Sequence, residues 1–479
     1  MSDRPNLLYI HSDQHAPHVL RCYGDPLVET PHLDDLAARG VLCTGVYCPS
    51  PVCVSSRMAM LSGRYPHDIG VWTNHDVLPA AVPTLAHAMG AGGYRPTLIG
   101  RMHSRGPDQL LGYAERLVGD HSGNYSEGGA PGDALSTLTR AGAGQSGYQV
   151  HDEDVTAAAV HWLNRLGVQR RSDQMGAPFS LSLGYMLPHM PFIARREDYI
   201  KYRSRIRYPA HPRPLEDEVH PFLQWWRRHS GWDGASEEQV LNARAAYWAL
   251  VTRLDAMIGQ VLHALRLNGF EENTLVVYTS DHGEQVGEHG LWSKRTFYER
   301  SVRVPAIISW PGRLPAGAHC ERVMSSLDLN ATMLAALECP ALPHARGRNA
   351  LGVLRGAAAE WDDVAFSEYC LDEGHYHRMV RRDQWKLNYY HGMEPQLFNM
   401  REDPDELRDC AGDPVCAEIR AALEREVLAG WDPEVVASRM RVRRADRCLI
   451  DQWAKEVKPA DQYRWERKKE MDYRDEVQP

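Results

Sequence analysis

Short apolar runs alternate along the chain with segments in which apolar residues recur at helical spacing. The runs are bounded by polar residues and predict buried strands at 7–10, 94–99, 179–185, 274–279 and 304–310. Helical spacing predicts helices at 30–40, 83–92, 155–166 and 236–269. This alternation predicts an α/β fold, with a large mixed, mostly parallel sheet sandwiched between helices.

The pattern changes after about residue 365. Short strand-like runs at 379–380, 385–390 and 396–399 are separated by turns, and a helical segment follows at 415–429. Together they predict a smaller α+β subdomain built on an antiparallel sheet.

Three segments lack regular periodicity. Residues 121–148 are rich in Gly, Ser and Ala and predict a long surface loop, and residues 195–235 predict an irregular insertion. The tail from residue 438 is charged, with scattered Trp and Tyr, and is expected to be either disordered or docked on another subunit. The predicted units are a main domain, an antiparallel-sheet subdomain and the tail, at residues 1–365, 366–437 and 438–479.

Composition excludes several functional classes. The 479 residues carry a net charge of −9, which argues against non-specific nucleic-acid binding. No apolar run approaches the roughly 18 residues that a bilayer-spanning helix needs, so no membrane partner is expected. The ten cysteines include no CxxC pair, and no secretory signal is recognisable, which predicts reduced thiols and a cytoplasmic protein.

Polar side chains follow the predicted strands, at the sheet edge where α/β proteins bind ligands. Asp13 follows the first strand, and Asp281 and His282 follow the strand at 274–279. Two carboxylates and an imidazole suit a divalent cation such as Ca²⁺, Mg²⁺ or Mn²⁺ better than a structural zinc. These residues therefore predict a metal site.

Cys53 begins a short apolar helical run after the turn Ser50-Pro51, and Arg57 lies one helical turn further on. Backbone N–H groups and the helix dipole at such a position favour a thiolate or an oxyanion. Further cationic or imidazole side chains follow other strands, and they are expected to surround a tetrahedral oxyanion on the metal. They are Arg101, His103, His189 and Lys294.

The combined motifs resemble those of the sulfatase family, within the alkaline-phosphatase-like superfamily. The nucleophile motif reads Cys53-Val54-Ser55-Ser56-Arg57 and continues into Leu61-Ser62-Gly63-Arg64. The other matching motifs are Gly100-Arg101-Met102-His103, Pro188-His189-x-Pro191, Ser280-Asp281-His282-Gly283 and Gly290-Leu291-Trp292-x-Lys294. Gly106-Pro107-Asp108-Gln109-Leu110 is most similar to the choline-sulfatase branch. The resemblance implies a four-stranded C-terminal sheet and one metal ion, Ca²⁺ before Mn²⁺ or Mg²⁺.

The resemblance also implies a role for each site residue. Metal ligands would be Asp13, Gln14, Cys53, Asp281 and His282. A formylglycine-generating enzyme oxidises the motif cysteine in that family, and the hydrated aldehyde attacks sulfur. Arg57 and Arg101 would orient this group, and His103 would assist the collapse of the sulfated intermediate. Asn74, His189 and Lys294 would bind the substrate, and the tail would hold a homo-oligomer, a dimer or tetramer.

Three departures leave alternatives open. Ser55 stands where modifying enzymes normally meet Pro or Ala, Arg101 replaces the usual Lys, and the aromatic box for choline is missing after Gln109. A sulfuric ester hydrolase is the leading hypothesis. A phosphodiester or phosphonate monoester hydrolase is the second, and a pseudoenzyme with unmodified Cys53 is the third. The Gly-Arg-x-His motif favours the sulfatase, since the phosphonate branch usually has Tyr and Thr there.

Overall fold

Eight strands form a sheet at the centre of the structure, and the other strands form smaller sheets. The structure is a computed structural model that describes residues 4–125, 134–172, 174, 176–357, 360–371 and 374–475. The strands are β1 Asn6–Asp13, β2 Val41–Cys43, β3 Val46–Tyr47, β4 Pro96–Gly100, β5 Glu115–Arg116, β6 Gly142–Gln145, β7 Ser180–Pro188, β8 Ile193–Ala194, β9 Thr274–Ser280, β10 Ala306–Ser309, β11 Ala318–Cys320, β12 Met324–Ser325, β13 Val364–Leu371, β14 His375–Arg382, β15 Trp385–Tyr390, β16 Gln396–Asn399 and β17 Tyr473–Arg474. The helices are α1 Pro31–Ala38, α2 Cys53–Ser62, α3 Pro66–Ile69, α4 Leu85–Ala91, α5 Ser136–Thr139, α6 Gly147–Arg171, α7 Arg196–Arg203, α8 Pro221–Ser230, α9 Glu237–Leu267, α10 Glu299–Val302, α11 Ser326–Ala336, α12 Leu351–Leu354, α13 Ala417–Leu428 and α14 Pro433–Val457.

The order of strands in the central sheet is β11-β2-β10-β9-β1-β7-β4-β5. Strand β10 is antiparallel to both neighbours, and the other pairs are parallel. The predicted mixed, mostly parallel sheet is therefore confirmed. Because β9, β1, β7 and β4 run in the same direction, their carboxyl ends meet at one edge. Asp281, Asp13, His189 and Arg101 lie at or just after those ends.

The sheet is held by apolar burial on both faces. Leu7, Leu8 and Ile10 of β1 are fully buried, as expected for a strand covered by helices on each side. The predicted long helix is α9, and its capping box is confirmed, since Gln239 N–H donates to Ser236 Oγ over 3.3 Å. Among the described residues no helix is both long and apolar enough to cross a bilayer.

A four-stranded antiparallel sheet, β13-β14-β15-β16, follows in the C-terminal part of the chain, with α13 packed against β14 and β15. This confirms the expected smaller α+β subdomain. Strand β13 was not among the predicted strands, and the predicted boundary between residues 365 and 366 lies within it. The division of the chain into three units stays a prediction.

Two segments are more regular than their sequence suggests. The predicted loop at 121–148 contains α5, the mostly buried strand β6 and the start of α6, whereas residues 126–133 lie outside the described part. The predicted irregular insertion at 195–235 contains α7 and α8. Helix α8 begins at Pro221, and Gly231 follows its last residue in the left-handed conformation, so a proline and a glycine mark its two ends.

The described part of the tail is folded against its own chain, so it is not disordered, whereas its predicted contact with another subunit stays a prediction. Residues 433–457 form α14, and Tyr473 and Arg474 of β17 pair with β6 of the same chain. The tail aromatics find partners there too. Trp453 packs edge-on against Tyr125 with ring centroids 5.2 Å apart, and Trp465 Nε1 donates to an Asp154 oxygen over 2.8 Å.

We expect acid to weaken the fold through buried histidines that stay neutral. His289 lies stacked on Tyr298 with ring centroids 4.1 Å apart, and burial, followed by nearby Arg213 and Arg300, lowers its pKa to about 3. The unfolded chain binds a proton there below about pH 6.5, whereas the folded chain does not. The free energy of unfolding should therefore fall by up to about 1.4 kcal/mol per pH unit as pH drops from 6.5 towards 4.

Urea unfolding of wild type and His289→Gln between pH 4 and 7 measures this effect. The slope of the free energy of unfolding against pH should be smaller in His289→Gln by the contribution of about one proton. Replacement of an exposed histidine, His263→Gln, should leave that slope unchanged. An equal slope in wild type and His289→Gln contradicts the expectation.

Candidate active site

Cys53 is the first residue of α2, and its side chain is only 1% exposed. Extended backbone at Val52 precedes the helix, and Gly63, with φ 68°, follows its last residue. No side chain at the preceding position caps the helix. Asn74 supplies a partner instead, because its Oδ1 accepts from the Val54 N–H over 3.0 Å. The thiol therefore lies at the positive end of a buried helix.

Ligand atoms from Asp13, Cys53, Asp281 and His282 lie within 4.8 Å of one another. Cys53 Sγ is 3.1 Å from His282 Nε2 and 3.8 Å from Asp13 Oδ1. His282 Nδ1 lies 3.1 Å from the Gly283 carbonyl and so carries the proton, which leaves the Nε2 lone pair facing the cluster. Burial lowers the pKa of His282 to about 4, so the imidazole is a neutral ligand.

This donor set fits a divalent cation. It offers two carboxylates and a neutral imidazole, all buried, with the residue 53 side chain completing the group. Hard oxygen donors of this kind suit Ca²⁺, Mg²⁺ or Mn²⁺. A cation would offset the cost of burying the two carboxylates together.

Arg57 joins the two candidate metal carboxylates. Its Nε donates to Asp281 Oδ2 over 2.8 Å, and one terminal nitrogen donates to Asp13 Oδ2 over 3.2 Å. Further donors reach the Ser12 carbonyl and His11 Nδ1. Burial alone would lower the pKa of Arg57, but the Asp281 and Asp13 carboxylates raise it above its ordinary value. Arg57 is thus a fixed charge that holds both carboxylates in place.

Arg101 connects the cluster to His103. Its Nε donates to Asp13 Oδ2 over 2.6 Å, and its terminal nitrogens reach Asp120 Oδ1 at 3.1 Å and His103 Nδ1 at 2.9 Å. Because arginine only donates, His103 Nδ1 must accept, so neutral His103 carries its proton on Nε2. Burial and then Arg101 hold the pKa of His103 well below its usual range.

Asp120 is a site residue that the sequence analysis missed. Its carboxylate accepts from Arg101 and from the His103 N–H, the latter over 2.8 Å. His103 has a positive φ of 56°, a conformation that non-glycine residues adopt only when their surroundings impose it. Asp120 supplies that constraint, because it fixes both the side chain of Arg101 and the backbone of His103.

Lys294 and His189 form the opposite wall. Lys294 Nζ contacts Gln14 Oε1 and lies 3.1 Å from His189 Nε2. His189 Nδ1 lies 2.6 Å from the Met190 carbonyl and donates to it, so Nε2 accepts from the lysine. Burial and then Lys294 lower the pKa of His189. A neutral imidazole and an ammonium group therefore lie side by side.

Glu284 is the second residue that the sequence analysis missed. This fully buried carboxylate accepts from Gln14 Nε2 and from the backbone N–H groups of Val286 and Ser293. Gln14 has a positive φ of 67°. Since its amide nitrogen is bound to Glu284, its amide oxygen must point towards Lys294. Glu284 directly follows the Asp281-His282-Gly283 motif, but that position alone does not distinguish a site residue from a cap or a surface group.

The structure brings the predicted site residues to one place. Eleven were named from the sequence, namely Asp13, Gln14, Cys53, Arg57, Asn74, Arg101, His103, His189, Asp281, His282 and Lys294. Contacts link all of them, since the Gln14 N–H donates to Asp281 Oδ1 over 3.0 Å and so joins Lys294 and His189 to the cluster, but Asn74 turns its amide oxygen to the start of α2. Ser55, which departs from the motif, points away from the cluster and donates to the Val71 carbonyl over 2.9 Å.

Comparison with known proteins decides the family. The family model described as Sulfatase matches residues 5–339, and the model described as N-sulphoglucosamine sulphohydrolase, C-terminal, matches residues 287–430. The chain belongs to the sulfatase family. This confirms the predicted family and the expected enzyme class, a sulfuric ester hydrolase.

Individual relatives agree with that assignment. The sulfatase is 30% identical over 470 residues to a choline-sulfatase of Rhizobium meliloti (strain 1021), covering 93% of this chain and 91% of the relative. It is 28% identical over 464 residues to arylsulfatase K of Bos taurus, covering 91% and 83%. Its fold resembles a phosphonate monoester hydrolase of Agrobacterium radiobacter, with TM-score 0.76, 24% identity and coverage of 89% and 95%. The alkaline-phosphatase-like fold is thereby confirmed.

Proposed function

We propose that this sulfatase hydrolyses sulfate esters with a formylglycine nucleophile derived from Cys53 and one bound cation. The single observation that carries the proposal is the position of Cys53 Sγ at the start of α2, within the group of Asp13, Asp281 and His282. A helix start favours negative charge, and an aldehyde hydrate there would present its hydroxyl beside the cluster. A dedicated formylglycine-generating enzyme would be the modifying partner.

Asp13, Gln14, Asp281, His282 and the modified residue 53 would hold the cation. We propose Ca²⁺, because the protein ligand atoms are mainly oxygens. The group also lacks the pair of cysteine thiolates that is typical of a structural zinc site. A bound divalent cation supplies Lewis acidity and offsets negative charge on the sulfuryl oxygens. Gln14 would contribute its amide oxygen, because Glu284 holds its amide nitrogen.

Lys294 and His189 would bind the substrate and assist the departing alcohol. The lysine ammonium can hydrogen-bond a sulfuryl oxygen at the position where it now reaches His189 Nε2. Cleavage of the sulfur–oxygen bond leaves an alkoxide, which must take up a proton. The adjacent Lys294 ammonium can pass one to it, and water then returns a proton to the lysine, whose position His189 Nε2 holds by accepting its hydrogen bond.

The remaining polar groups orient the nucleophile. Arg57 and Arg101 fix the Asp13 carboxylate from two sides, so the charge beside residue 53 is preorganised before the substrate binds. His103, protonated on Nε2, would donate to an oxygen of the nucleophile or of the sulfuryl group. Asn74 anchors the first turn of α2 and so positions residue 53.

A substrate panel tests the proposed function. We expect the calcium-loaded protein to hydrolyse 4-nitrophenyl sulfate with a kcat/KM at least tenfold above that for bis(4-nitrophenyl) phosphate and phenyl phosphonate esters. A reversed order favours the phosphodiester or phosphonate monoester hydrolase of the same superfamily. A protein that binds Ca²⁺ but turns over none of these esters favours the pseudoenzyme with unmodified Cys53.

Conversion of Cys53 to formylglycine is expected to be incomplete in wild type and more complete in Ser55→Ala, since Ala is one of the residues that the modifying enzymes normally recognise at this position. Intact-mass spectrometry after co-expression with a formylglycine-generating enzyme measures the fraction, because the aldehyde form is lighter than the thiol form. The variant loses the bond to the Val71 carbonyl, at a cost of about 1 kcal/mol. Equal conversion in wild type and Ser55→Ala contradicts this expectation, and Ser56→Ala is the neighbouring control.

We also propose a cytoplasmic location and a homo-oligomer. The ten cysteines are unpaired, as is usual in a reducing compartment. Exposed apolar side chains lie along one face of α14, at Val435, Val442, Leu449, Trp453 and Val457. Such a stripe favours contact with a second subunit, a dimer or tetramer, and light scattering measures the subunit number.

A further inference from the structure

A buried aspartate near the start of α6 holds the backbone that leads to His189. Asp152 is fully buried and is not among the site residues described above. Its two carboxylate oxygens lie 2.9 and 3.0 Å from the Met186 nitrogen, whose N–H they accept, and Oδ2 accepts from the Leu187 N–H over 2.8 Å. Both N–H groups belong to the last residues of β7, just before His189. The carboxylate therefore fixes the point at which the strand passes into the His189 loop.

His189 is joined to the same point. Its backbone N–H donates to the Met186 carbonyl over 2.9 Å, so Met186 connects Asp152 with His189 through its own N–H and carbonyl. The ring of His189 also packs on Tyr148, with ring centroids 5.8 Å apart. Tyr148 lies one helical turn before Asp152 on α6. The start of α6 thus constrains both the backbone and the ring of His189.

The neighbouring His151 supplies the charge that balances Asp152. His151 is fully buried, with Nδ1 2.9 Å from Asp152 Oδ1 and Nε2 2.9 Å from the Gly119 carbonyl. Asp152 already accepts from two backbone N–H groups and a carbonyl only accepts, so both ring nitrogens of His151 donate and the ring carries a positive charge. A buried ion pair of this kind is costly to break, because either charge would be left alone in the interior.

His151 also connects this point with the arginine–histidine pair on the other side of the cluster. Gly119, whose carbonyl it binds, directly precedes Asp120, the carboxylate that fixes that pair. The tail covers the junction, because the Trp465 N–H donates to the Asp120 carbonyl over 2.8 Å. The Trp465 ring lies edge-on to His151 with ring centroids 5.2 Å apart. One buried ion pair therefore lies between two loops that carry site residues.

We infer that Asp152 is a positioning residue for the sulfatase reaction and that it acts through His189. This inference rests on the proposed sulfate ester hydrolysis. Among the described residues the Asp152 carboxylate contacts a histidine ring and two backbone N–H groups, so its effect on His189 is indirect. His189 Nε2 accepts from Lys294, whose ammonium would protonate the departing alcohol. A displaced His189 loop would release the lysine and slow the reaction most for alcohols that leave poorly.

Asp152→Asn tests this role because it keeps the shape of the side chain and turns one acceptor oxygen into a donor. An amide N–H then faces an N–H group of Met186, Leu187 or the His151 ring. We expect kcat/KM to fall about tenfold for 4-nitrophenyl sulfate and about 100-fold for phenyl sulfate, because phenol is the weaker acid and depends more on the lysine proton. A purely structural role would lower both values by the same factor.

A second variant and a matched control accompany this measurement. Asp152→Glu keeps the ion pair with His151 but lengthens the side chain, and it should lower kcat/KM for phenyl sulfate about threefold more than for 4-nitrophenyl sulfate. Asp255→Asn is the control. Asp255 is 1% exposed and accepts from two backbone N–H groups, those of His32 and Leu33, but it does so at the start of α1. This control should keep the wild-type ratio of the two esters.

A double-mutant cycle tests whether Asp152 acts through His189. Adding Asp152→Asn to His189→Ala should lower kcat/KM for phenyl sulfate by less than about threefold more, since the loop then carries no ring to position. Inorganic sulfate gives a second measurement that needs no turnover. Calorimetry on the calcium-loaded protein should show sulfate binding about tenfold weaker in Asp152→Asn than in wild type, and no weaker in the double variant than in His189→Ala.

The outcomes separate this inference from the proposed function. Equal losses for the two esters in Asp152→Asn and Asp152→Glu, or full additivity with His189→Ala, overturn the inference. The unequal losses and the coupling to His189 support it. A wild-type protein that cleaves no sulfate ester, but whose sulfate affinity shows the same coupling, overturns the proposed function and leaves the positioning role of Asp152 in place.

Discussion

Replacing Cys53 with Ala is expected to lower kcat for 4-nitrophenyl sulfate by about 10⁴-fold or more, because the variant has no atom from which a nucleophile can be made. The rest of the cluster stays, since Asp13, Asp281 and His282 keep their contacts with Arg57 and with backbone groups. KM should therefore change far less than kcat. Initial rates over a range of substrate concentrations separate the two constants.

Exposed Cys448→Ala is the matched control and should retain wild-type kcat. Residual activity of Cys53→Ala within tenfold of wild type would mean that water, not residue 53, attacks the sulfur. The variant also lacks the proposed metal ligand at residue 53, so calorimetry should show weaker Ca²⁺ binding. Saturating Ca²⁺ separates the two roles, because it offsets the loss of a ligand but not the loss of the nucleophile.

The arrangement of the sheet explains why most of the site could be predicted from the sequence. Parallel strands release their carboxyl ends at one edge, so Asp13 and Asp281 had to meet once both preceding segments were recognised as strands of one sheet. The register confirms this, with Ser12 opposite Ser280. The helix that starts at Cys53 is equally predictable from the sequence, because the turn Ser50-Pro51 precedes it and an apolar run follows.

Asp120 and Glu284 could not be predicted because their roles depend on partners rather than on a local pattern. Asp120 lies where the sequence has little periodicity, and it acts through Arg101, 19 residues earlier. Glu284 reaches Gln14 across 270 residues. A single carboxylate in a loop is more often a cap or a surface group, so the sequence offers no reason to select either.

The tail shows a further limit of sequence reasoning. Its aromatic residues did indicate a docking surface, but the sequence cannot say whose surface it is. Trp465 donates to Asp154, 311 residues earlier in the chain. Strand β17 pairs with β6, which lies in the glycine-rich segment that the sequence predicts to be a loop. Gly144, with φ 149°, lies so close to the Tyr473 carbonyl that a Cβ there would be 2.2 Å from it. The glycines thus allow the close approach of the tail.

Replacing Asp281 with Asn is expected to abolish the stabilisation of the fold by Ca²⁺ and to lower kcat/KM for 4-nitrophenyl sulfate by about 10³-fold, equivalent to ~4 kcal/mol. In wild type, Ca²⁺ at 100 times its Kd should raise the free energy of unfolding by ~2.7 kcal/mol. In the variant the rise should be close to zero, because one of two anionic ligands is gone. Urea unfolding with Ca²⁺ and with a chelator measures both values.

Asp328→Asn separates loss of the cation from loss of a buried charge. Asp328 is 1% exposed and pairs with Arg348 over 2.9 Å, as Asp281 pairs with Arg57, but it lies outside the ligand group. Each variant removes a carboxylate partner of a guanidinium group. Both should therefore have a lower free energy of unfolding than wild type when a chelator is present. Only Asp281→Asn should also lose the response to Ca²⁺. An equal Ca²⁺ response in the two variants would place the cation elsewhere and remove the basis of the proposed mechanism.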